Sequence, residues 1–157
     1  MCSTHPMNHI SPLLTSDTIL LDQVFASKKD LFEHAGGVVA QRHPLKASDV
    51  FNSLFERERL GSTALGYGIA IPHGRLKGLN LATGVLYSLQ PPLEFDAPDR
   101  QAVTLCFVLL VPKEANEAHL QILGELAQLF GDEAMRSRMH SVQSPSELHA
   151  LITAWVA

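Results

Sequence analysis

Apolar residues recur at helical spacing in five segments of the chain. The first predicted helix covers residues 28–41, with Ser27 as its N-cap, and it stops before Pro44. The second predicted helix is capped by Ser48 and ends before Gly61. The other three helices are predicted in the C-terminal part of the chain, at residues 116–130, at residues 132–140 and from the start signal Ser144-Pro145 onward.

Four shorter apolar runs predict β-strands. Residues 103–111 are nearly all apolar, which is typical of a strand buried on both faces in the middle of a sheet. The strand at residues 81–89 is expected to break at the proline pair that starts with Pro91. Residues 18–21 are expected to form an edge strand and residues 68–71 a short one. Together these elements predict an α/β fold: one domain with a mixed β-sheet covered by helices on both faces.

Composition and charge narrow the range of functions. The 157 residues are 46% hydrophobic and 18% charged, which indicates one globular domain. The formal charge of -4 argues against nucleic-acid binding, because a phosphate backbone demands a basic surface. Since there is neither a signal sequence nor an apolar stretch of membrane length, we expect a cytoplasmic protein without membrane insertion. We also expect a flexible leader over residues 1–12, a folded domain over residues 13–157, and no disulfide between Cys2 and Cys106.

The segment with the clearest chemical content is residues 61–74, GSTALGYGIAIPHG. A glycine-rich turn and a short apolar run lead to His73, which lies between Pro72 and Gly74. Proline restricts the backbone before the histidine, and glycine leaves the backbone free after it. Imidazole is a nucleophile with an ordinary pKa of about 6.5. We therefore select His73 as the candidate reactive residue.

Two familiar phosphate-binding motifs do not fit this segment. Gly61 and Gly66 have the spacing of a P-loop, but Tyr67 and Gly68 stand where that loop needs Lys and Ser or Thr. A dinucleotide fingerprint fails because Ile71 stands where the third glycine belongs, and because the turn leads into a strand rather than a helix.

Metal and hydrolase sites are also disfavoured. A zinc site built from His73 and His119 has neither HxxxH nor CxxC spacing and no accompanying carboxylate, so we expect no metal. Ser62 and Ser88 lie outside any nucleophile-elbow sequence, which argues against a Ser-His-Asp hydrolase.

Several motifs together resemble the enzyme IIA domains of the fructose/mannitol class, which belong to the bacterial phosphoenolpyruvate-dependent phosphotransferase system. The match extends from about residue 13 to residue 152. Nitrogen-type members, which are stand-alone regulatory proteins, are the most similar because of residues 57–63 (RERLGST) and the end of the chain. The motifs are Glu56-Arg57-Glu58 followed by Gly61-Ser62-Thr63, the run from Gly66 to Gly74, Leu93-Glu94-Phe95-Asp96 before the central strand, and His119-Leu120 in the first turn of a helix.

The resemblance implies that His73 accepts a phosphoryl group from a phosphohistidine on a small HPr-type carrier protein. It also implies that His119 is the second active-site histidine and that Arg57 supports the phosphoryl group. The residue chemistry agrees, since a guanidinium gives charged donors to phosphoryl oxygens and the hydroxyls of Ser62 and Thr63 give neutral donors. We expect no cofactor.

Three functions remain open from the sequence. The first is a regulatory phosphocarrier, in which phosphorylation of His73 changes which target proteins it binds. The second is a sugar-specific enzyme IIA that passes phosphate to a IIB domain; the chain contains no IIB or membrane IIC portion, which favours the first. The third, from another class, is a module that binds a small molecule through the glycine-rich turn.

Overall fold

A computed structural model describes residues 8–114 and 117–156 of the chain. Two of the predicted helix caps are confirmed, because Ser27 accepts a hydrogen bond from the N–H of Asp30 and Ser144 accepts one from the N–H of Glu147. Within the described ranges the strands are β1 (Ile19–Gln23), β2 (Ala64–Gly66), β3 (Ile69–Ala70), β4 (His73–Leu76), β5 (Thr83–Leu93) and β6 (Val103–Pro112). The α-helices there are α1 (Lys28–Arg42), α2 (Ala47–Arg59), α3 (Glu117–Gly131), α4 (Glu133–Ser141) and α5 (Pro145–Ala154).

Strand β6 lies in the middle of one mixed sheet with the order β1-β5-β6-β3-β2, and β4 also pairs with β6. It runs antiparallel to β5 and parallel to β3 and β4. Of residues 103–111, all except Thr104 are buried. The predicted central strand is confirmed, and its apolar character follows from burial on both faces.

Helices cover both faces of the sheet, as predicted. Helices α1 and α2 pack on one face, where Phe32 and Leu54 belong to a cluster with Tyr87 of β5. Helices α3, α4 and α5 pack on the other face, where Leu126 belongs to a cluster with Phe107 of β6. None of the helices within the described ranges has the length and apolar character needed to cross a membrane.

Strand β5 continues to Leu93 although it contains Pro91 and Pro92. Both prolines are exposed, and the regular pairing of β5 with β6 is interrupted between Ser88 and Leu93. The missing N–H groups therefore remove no bond from the ladder, which is how a strand tolerates proline. The expected end of the strand at residue 89 is wrong for this reason.

The glycine-rich segment forms three short strands where the sequence predicted one at residues 68–71. Strands β2 and β3 are antiparallel, and the turn between them has φ angles of 96° at Gly66, 59° at Tyr67 and 77° at Gly68. Glycine adopts such angles without strain. Tyr67 is held there by its N–H, which donates to the carboxylate of Asp99 at 2.8 Å.

The predicted cap of α2 is wrong, although its predicted end before Gly61 is confirmed. The helix begins at Ala47, and its N-cap residue is Lys46, which makes no capping bond through its side chain. Ser48 therefore lies inside the first turn. The predicted start of α3 at Asn116 lies outside the described residues, as does Cys2.

The expected leader, residues 1–12, is described only from Asn8 onward, and that part packs on the domain. Asn8 is buried, and its side-chain amide donates to the carbonyls of Ile152 (2.9 Å) and Trp155 (2.7 Å) at the end of α5. Ile10 is fully buried in the cluster beneath α3, α4 and α5. Contacts with the folded domain thus begin before residue 13.

Gly74 allows α2 to lie directly against β4. Its φ angle is not in the left-handed region, so backbone freedom does not explain this glycine. A β-carbon there would lie 2.1 Å from Oγ and 3.1 Å from the carbonyl carbon of Ser53 in α2. The Ser53 hydroxyl also donates to the carbonyl of Arg75 in β4 at 2.8 Å. The close approach brings the end of α2, and with it Arg57, to the strand that begins at His73.

We expect Gly74→Ala to lower the free energy of unfolding by about 1–3 kcal/mol, the typical cost of overpacking, because the Ser53 backbone cannot retreat without moving α2. Gly124→Ala in α3 is the matched control, since a β-carbon there meets nothing within 4 Å and alanine favours a helix. Urea unfolding followed by circular dichroism compares the two variants. Equal stability of the two proteins would contradict the packing role of Gly74.

Candidate active site

His73 begins β4, and two backbone contacts fix the direction of its ring. The N–H of Leu109 in β6 donates to the carbonyl of Pro72 at 2.9 Å, which anchors the chain just before the histidine. Nδ1 of His73 lies 2.9 Å from the carbonyl oxygen of Ile71. Since a carbonyl only accepts, Nδ1 carries the proton in this bond and Nε2 holds the free electron pair.

The surroundings of His73 favour the neutral ring. Partial burial is the largest influence, and it lowers the pKa of His73 below the ordinary value of 6.5. The hydrogen bond to Ile71 acts in the opposite direction, the positive charge of Arg57 lowers the pKa further, and the negative charge of Glu58 raises it. The ring is therefore neutral near pH 7, which is the form that attacks an electrophile.

The ring of His73 faces a surface cavity of about 700 Å³. Arg57 and His119, the other two residues expected at the site, line the same cavity. Leu60 and Leu120 at this cavity are 85% and 64% exposed. His73, Arg57 and His119, which come from separate parts of the sequence, thus line one open depression. The charged residues that also line it are Glu56, Arg75 and Glu117.

Arg57 reaches the cavity from the last turn of α2. Its Nη1 donates to the carbonyl of Gly61 at 2.9 Å, so the guanidinium also holds the start of the glycine-rich segment. A guanidinium carries five N–H donors in a fixed plane, and this bond uses one of them. Its charge acts on the ring of His73, which places a cation close to the candidate nucleophile.

The hydroxyl groups of Ser62 and Thr63, which are predicted to bind phosphoryl oxygens, donate to other protein groups in this structure. Ser62 donates to the carbonyl of Phe95 at 2.5 Å. Thr63 is 6% exposed and donates through Oγ1 to Oε1 of Glu58 at 2.7 Å. Both residues line a smaller cavity of about 220 Å³ that His73 also lines. Each hydroxyl would have to give up its present bond to donate to a phosphoryl group.

Glu58 is a buried carboxylate behind the cavity lining that the sequence reasoning did not select, and its charge acts on His73. Only 5% of its side chain is exposed, and its carboxylate lies 3.2 Å from Nζ of Lys28. The sequence did contain a signal, because Val50, Leu54 and Glu58 follow one another at intervals of four residues. This spacing places Glu58 on the buried stripe of α2, and it separates Glu58 from the solvated charges on either side.

The other groups considered for chemistry are the candidate metal ligands and the thiol of Cys106, and Cys106 does not line this cavity. Among residues 8–114 and 117–156, no three His, Cys, Asp or Glu side chains are grouped so that they could hold a metal ion. Cys106 lies in β6 and is fully buried, and this burial raises the pKa of its thiol. Cys2 lies outside the described residues, so the expected absence of a disulfide stays a prediction.

Comparison with known proteins agrees with this geometry. A family model described as "Phosphoenolpyruvate-dependent sugar phosphotransferase system, EIIA 2" matches residues 12–155. A nitrogen regulatory protein of Pseudomonas aeruginosa is 37% identical over 147 residues, which cover 93% of this chain and 96% of that protein. The crystal structure of nitrogen regulatory protein IIA-Ntr from Neisseria meningitidis is 44% identical with a TM-score of 0.89, and the match covers 93% of this chain and 100% of that one.

A sugar-specific protein is also similar. The 2-O-alpha-mannosyl-D-glycerate-specific EIIABC component of Escherichia coli K12 is 30% identical over 145 residues, which cover 90% of this chain but 22% of that protein. The family resemblance predicted from the motifs is thus confirmed, and its nitrogen-type members are among the most similar proteins. The chain belongs to the EIIA 2 family of the phosphoenolpyruvate-dependent sugar phosphotransferase system, a family of phosphotransfer proteins.

Proposed function

We propose that this chain accepts a phosphoryl group on Nε2 of His73 from a phosphohistidine of an HPr-type carrier protein, and that its output is regulatory. The observation that carries the proposal is the meeting of His73, Arg57 and His119 in one open depression. The exposed Leu60 and Leu120 beside them are the kind of apolar surface that a partner protein covers. The expected location of the protein in the cytoplasm is part of the same proposal.

The transfer step uses the free electron pair of Nε2. A bond from Nε2 of His73 to phosphorus forms while the phosphorus–nitrogen bond of the donor phosphohistidine breaks, and the electron pair of the broken bond returns to the donor ring. Nδ1 keeps its proton throughout. The carbonyl of Ile71, which accepts that proton in a hydrogen bond, stabilises the positive charge that develops on the ring.

Arg57 and His119 act on the phosphoryl oxygens from two different helices. A charge pair near 4 Å at an effective dielectric constant of about 20 is worth roughly 4 kcal/mol before desolvation. A neutral hydrogen bond contributes about 1 kcal/mol net. Arg57 therefore outweighs the hydroxyls of Ser62 and Thr63, which already donate to other protein groups.

A regulatory output is favoured because similar proteins of comparable length are nitrogen regulatory proteins. The alternative is a sugar-specific enzyme IIA that passes phosphate to a IIB domain. The similarity to one part of a sugar-specific EIIABC component supports this alternative.

Incubation with a phosphorylated HPr-type carrier tests both hypotheses, the regulatory phosphocarrier and the sugar-specific enzyme IIA. We expect acid-labile phosphate on the wild-type chain and none on His73→Ala. When a purified fructose- or mannitol-type IIB domain is then added to the phosphorylated wild-type chain, we expect the phosphoryl group to pass to it only slowly. Rapid transfer to the IIB domain would favour sugar transport. A wild-type chain that takes no phosphate would contradict both readings and favour the small-molecule module.

The cation at the site should matter more than the neutral donors. We expect Arg57→Ala to slow phosphate acceptance by about 100-fold, in the range seen when a preorganised donor to a developing anion is removed. Ser62→Ala should slow acceptance less than about 5-fold, the equivalent of one neutral hydrogen bond. Quench-flow labelling from the phosphorylated carrier measures both rates, and wild-type rates in both variants would show that the assignment is wrong.

His73 should titrate below its ordinary value, and the charge of Arg57 should contribute to the shift. Because burial and Arg57 lower the pKa of His73, we expect an NMR titration to place it below 6.5 in the wild type and closer to 6.5 in Arg57→Ala. The unfolded chain then binds a proton at His73 more readily than the native chain, so stability falls as the pH drops below 6.5. A higher pKa in the wild type than in Arg57→Ala would contradict the assigned electrostatics.

A further inference from the structure

Glu58 follows Arg57 directly in the chain but serves the interior of the protein. Successive helical residues point about 100° apart, so neighbours in one turn face different surroundings. Arg57 lines the open cavity, whereas the side chain of Glu58 is 5% exposed. A buried carboxylate is costly unless charged and polar groups compensate it, so the partners of Glu58 indicate what it does.

One partner of Glu58 is Thr63, which donates to it twice. Thr63 Oγ1 donates to Oε1 at 2.7 Å, and the N–H of Thr63 donates to Oε2 at 3.2 Å. The other partner is Lys28 at the start of α1, whose Nζ lies 3.2 Å from Oε2. Both carboxylate oxygens are thus occupied, and the side chain is held from two sides.

The contacts of Thr63 continue to the candidate nucleophile. The carbonyl of Thr63 accepts from the N–H of Ile71 at 3.1 Å. The carbonyl of Ile71 accepts from Nδ1 of His73 at 2.9 Å. An unbroken series of hydrogen bonds therefore joins the buried carboxylate of Glu58 to the ring of His73 through Thr63 and Ile71.

These hydrogen bonds fix the positions of the segments that they join, but they do not form one chain along which charge polarisation is passed. The N–H and the carbonyl of Thr63 belong to different planar peptide groups, and so do those of Ile71. What passes along the series is the placement of each segment relative to the next. A ring that must present Nε2 in line with a phosphorus atom is sensitive to such placement, because a shift of about 1 Å can cost 100-fold in rate.

We propose that Glu58 is the positioning residue for His73: its buried carboxylate fixes Thr63, Thr63 fixes Ile71, and the Ile71 carbonyl holds the imidazole in the Nδ1-protonated form that leaves Nε2 facing the cavity. The proposal rests on the proposed phosphoryl acceptance at His73. It assigns a role to a residue that touches neither the cavity nor the ring.

The test compares Glu58→Gln with Glu33→Gln, which removes the same charge from an exposed position on α1. Glutamine keeps the shape of Glu58 but offers one acceptor oxygen and no negative charge, so Lys28 loses its ion pair with Glu58 and keeps the one with Asp96 at 3.5 Å. We expect Glu58→Gln to slow phosphate acceptance about 10-fold or more and to raise the fraction of His73 protonated on Nε2, seen in long-range ¹H–¹⁵N spectra. Glu33→Gln should keep the wild-type rate and the wild-type tautomer.

Two variants at Thr63 give the same answer independently. Thr63→Val removes the hydroxyl donor and keeps the N–H, so we expect a smaller slowing and a smaller tautomer shift than in Glu58→Gln. Thr63→Ser keeps a hydroxyl at this position, so the rate of phosphate acceptance and the tautomer of His73 should both be closer to wild type than in Thr63→Val. If Glu58→Gln does not fold, these two variants decide the question by the same two measurements.

The wild-type tautomer of His73 in folded Glu58→Gln overturns the proposal, whatever happens to the rate. If Glu58→Gln is unfolded, finding the wild-type tautomer of His73 in Thr63→Val overturns the proposal. The spectra need no phosphate donor, so a failure of the proposed function is a separate result. In that case the wild-type chain accepts no phosphate, while the tautomer still reports on Glu58.

Discussion

The pairing of β4 with the central strand β6 is the contact on which the rest of the site depends. It places His73 opposite Leu109 in the middle of a strand that two helical layers cover, so the histidine backbone cannot shift without disturbing the core. The same short strand meets α2 at Gly74, where only a glycine lets the helix approach. Arg57 and His73 are therefore set by one rigid arrangement of strand and helix rather than by two independent loops, which is the form of support that a precise reactive geometry needs.

Much of the frame could be predicted from local patterns. The apolar run at residues 103–111 and the capped helix at Pro145–Ala154 depend on burial and on bonds within a few residues, and such signals are written in the adjacent sequence. His73 could be selected from Pro72 and Gly74 beside it. Strands β2 and β4 could not, because each is only three or four residues long and exists through its pairing with a partner that is distant in the sequence.

Several features of the site could not be predicted from residue types alone. Arg57 and Arg59 stand in the same alternating charged run, and only the family resemblance separated them; the structure places Arg57 in the cavity, while Arg59 pairs with Glu56. The hydroxyls of Ser62 and Thr63 looked available because their acceptors, Phe95 and Glu58, come from other elements. Outside the site, the burial of Asn8 could not be predicted for the same reason, since the carbonyls to which its side chain donates lie more than 140 residues away in the sequence.

Under the proposed function, the charge of the cavity gives a phosphoryl group on His73 a physical way to act as a signal. The charged residues that line the cavity are two cations, Arg57 and Arg75, and two carboxylates, Glu56 and Glu117, so the charges are balanced in number. A phosphoryl group brings about two negative charges, which is a large change for a surface that is nearly neutral without it. In that proposal, a partner surface that contacts this depression meets opposite conditions in the two forms, because an acidic surface would be repelled after phosphorylation and a basic one attracted. Leu60 and Leu120 are exposed and apolar whether or not His73 carries a phosphoryl group, so in the same proposal they would add binding area without distinguishing the two forms. In this proposal, what distinguishes the two forms is the charge placed on His73, whose ring the Ile71 carbonyl holds in position.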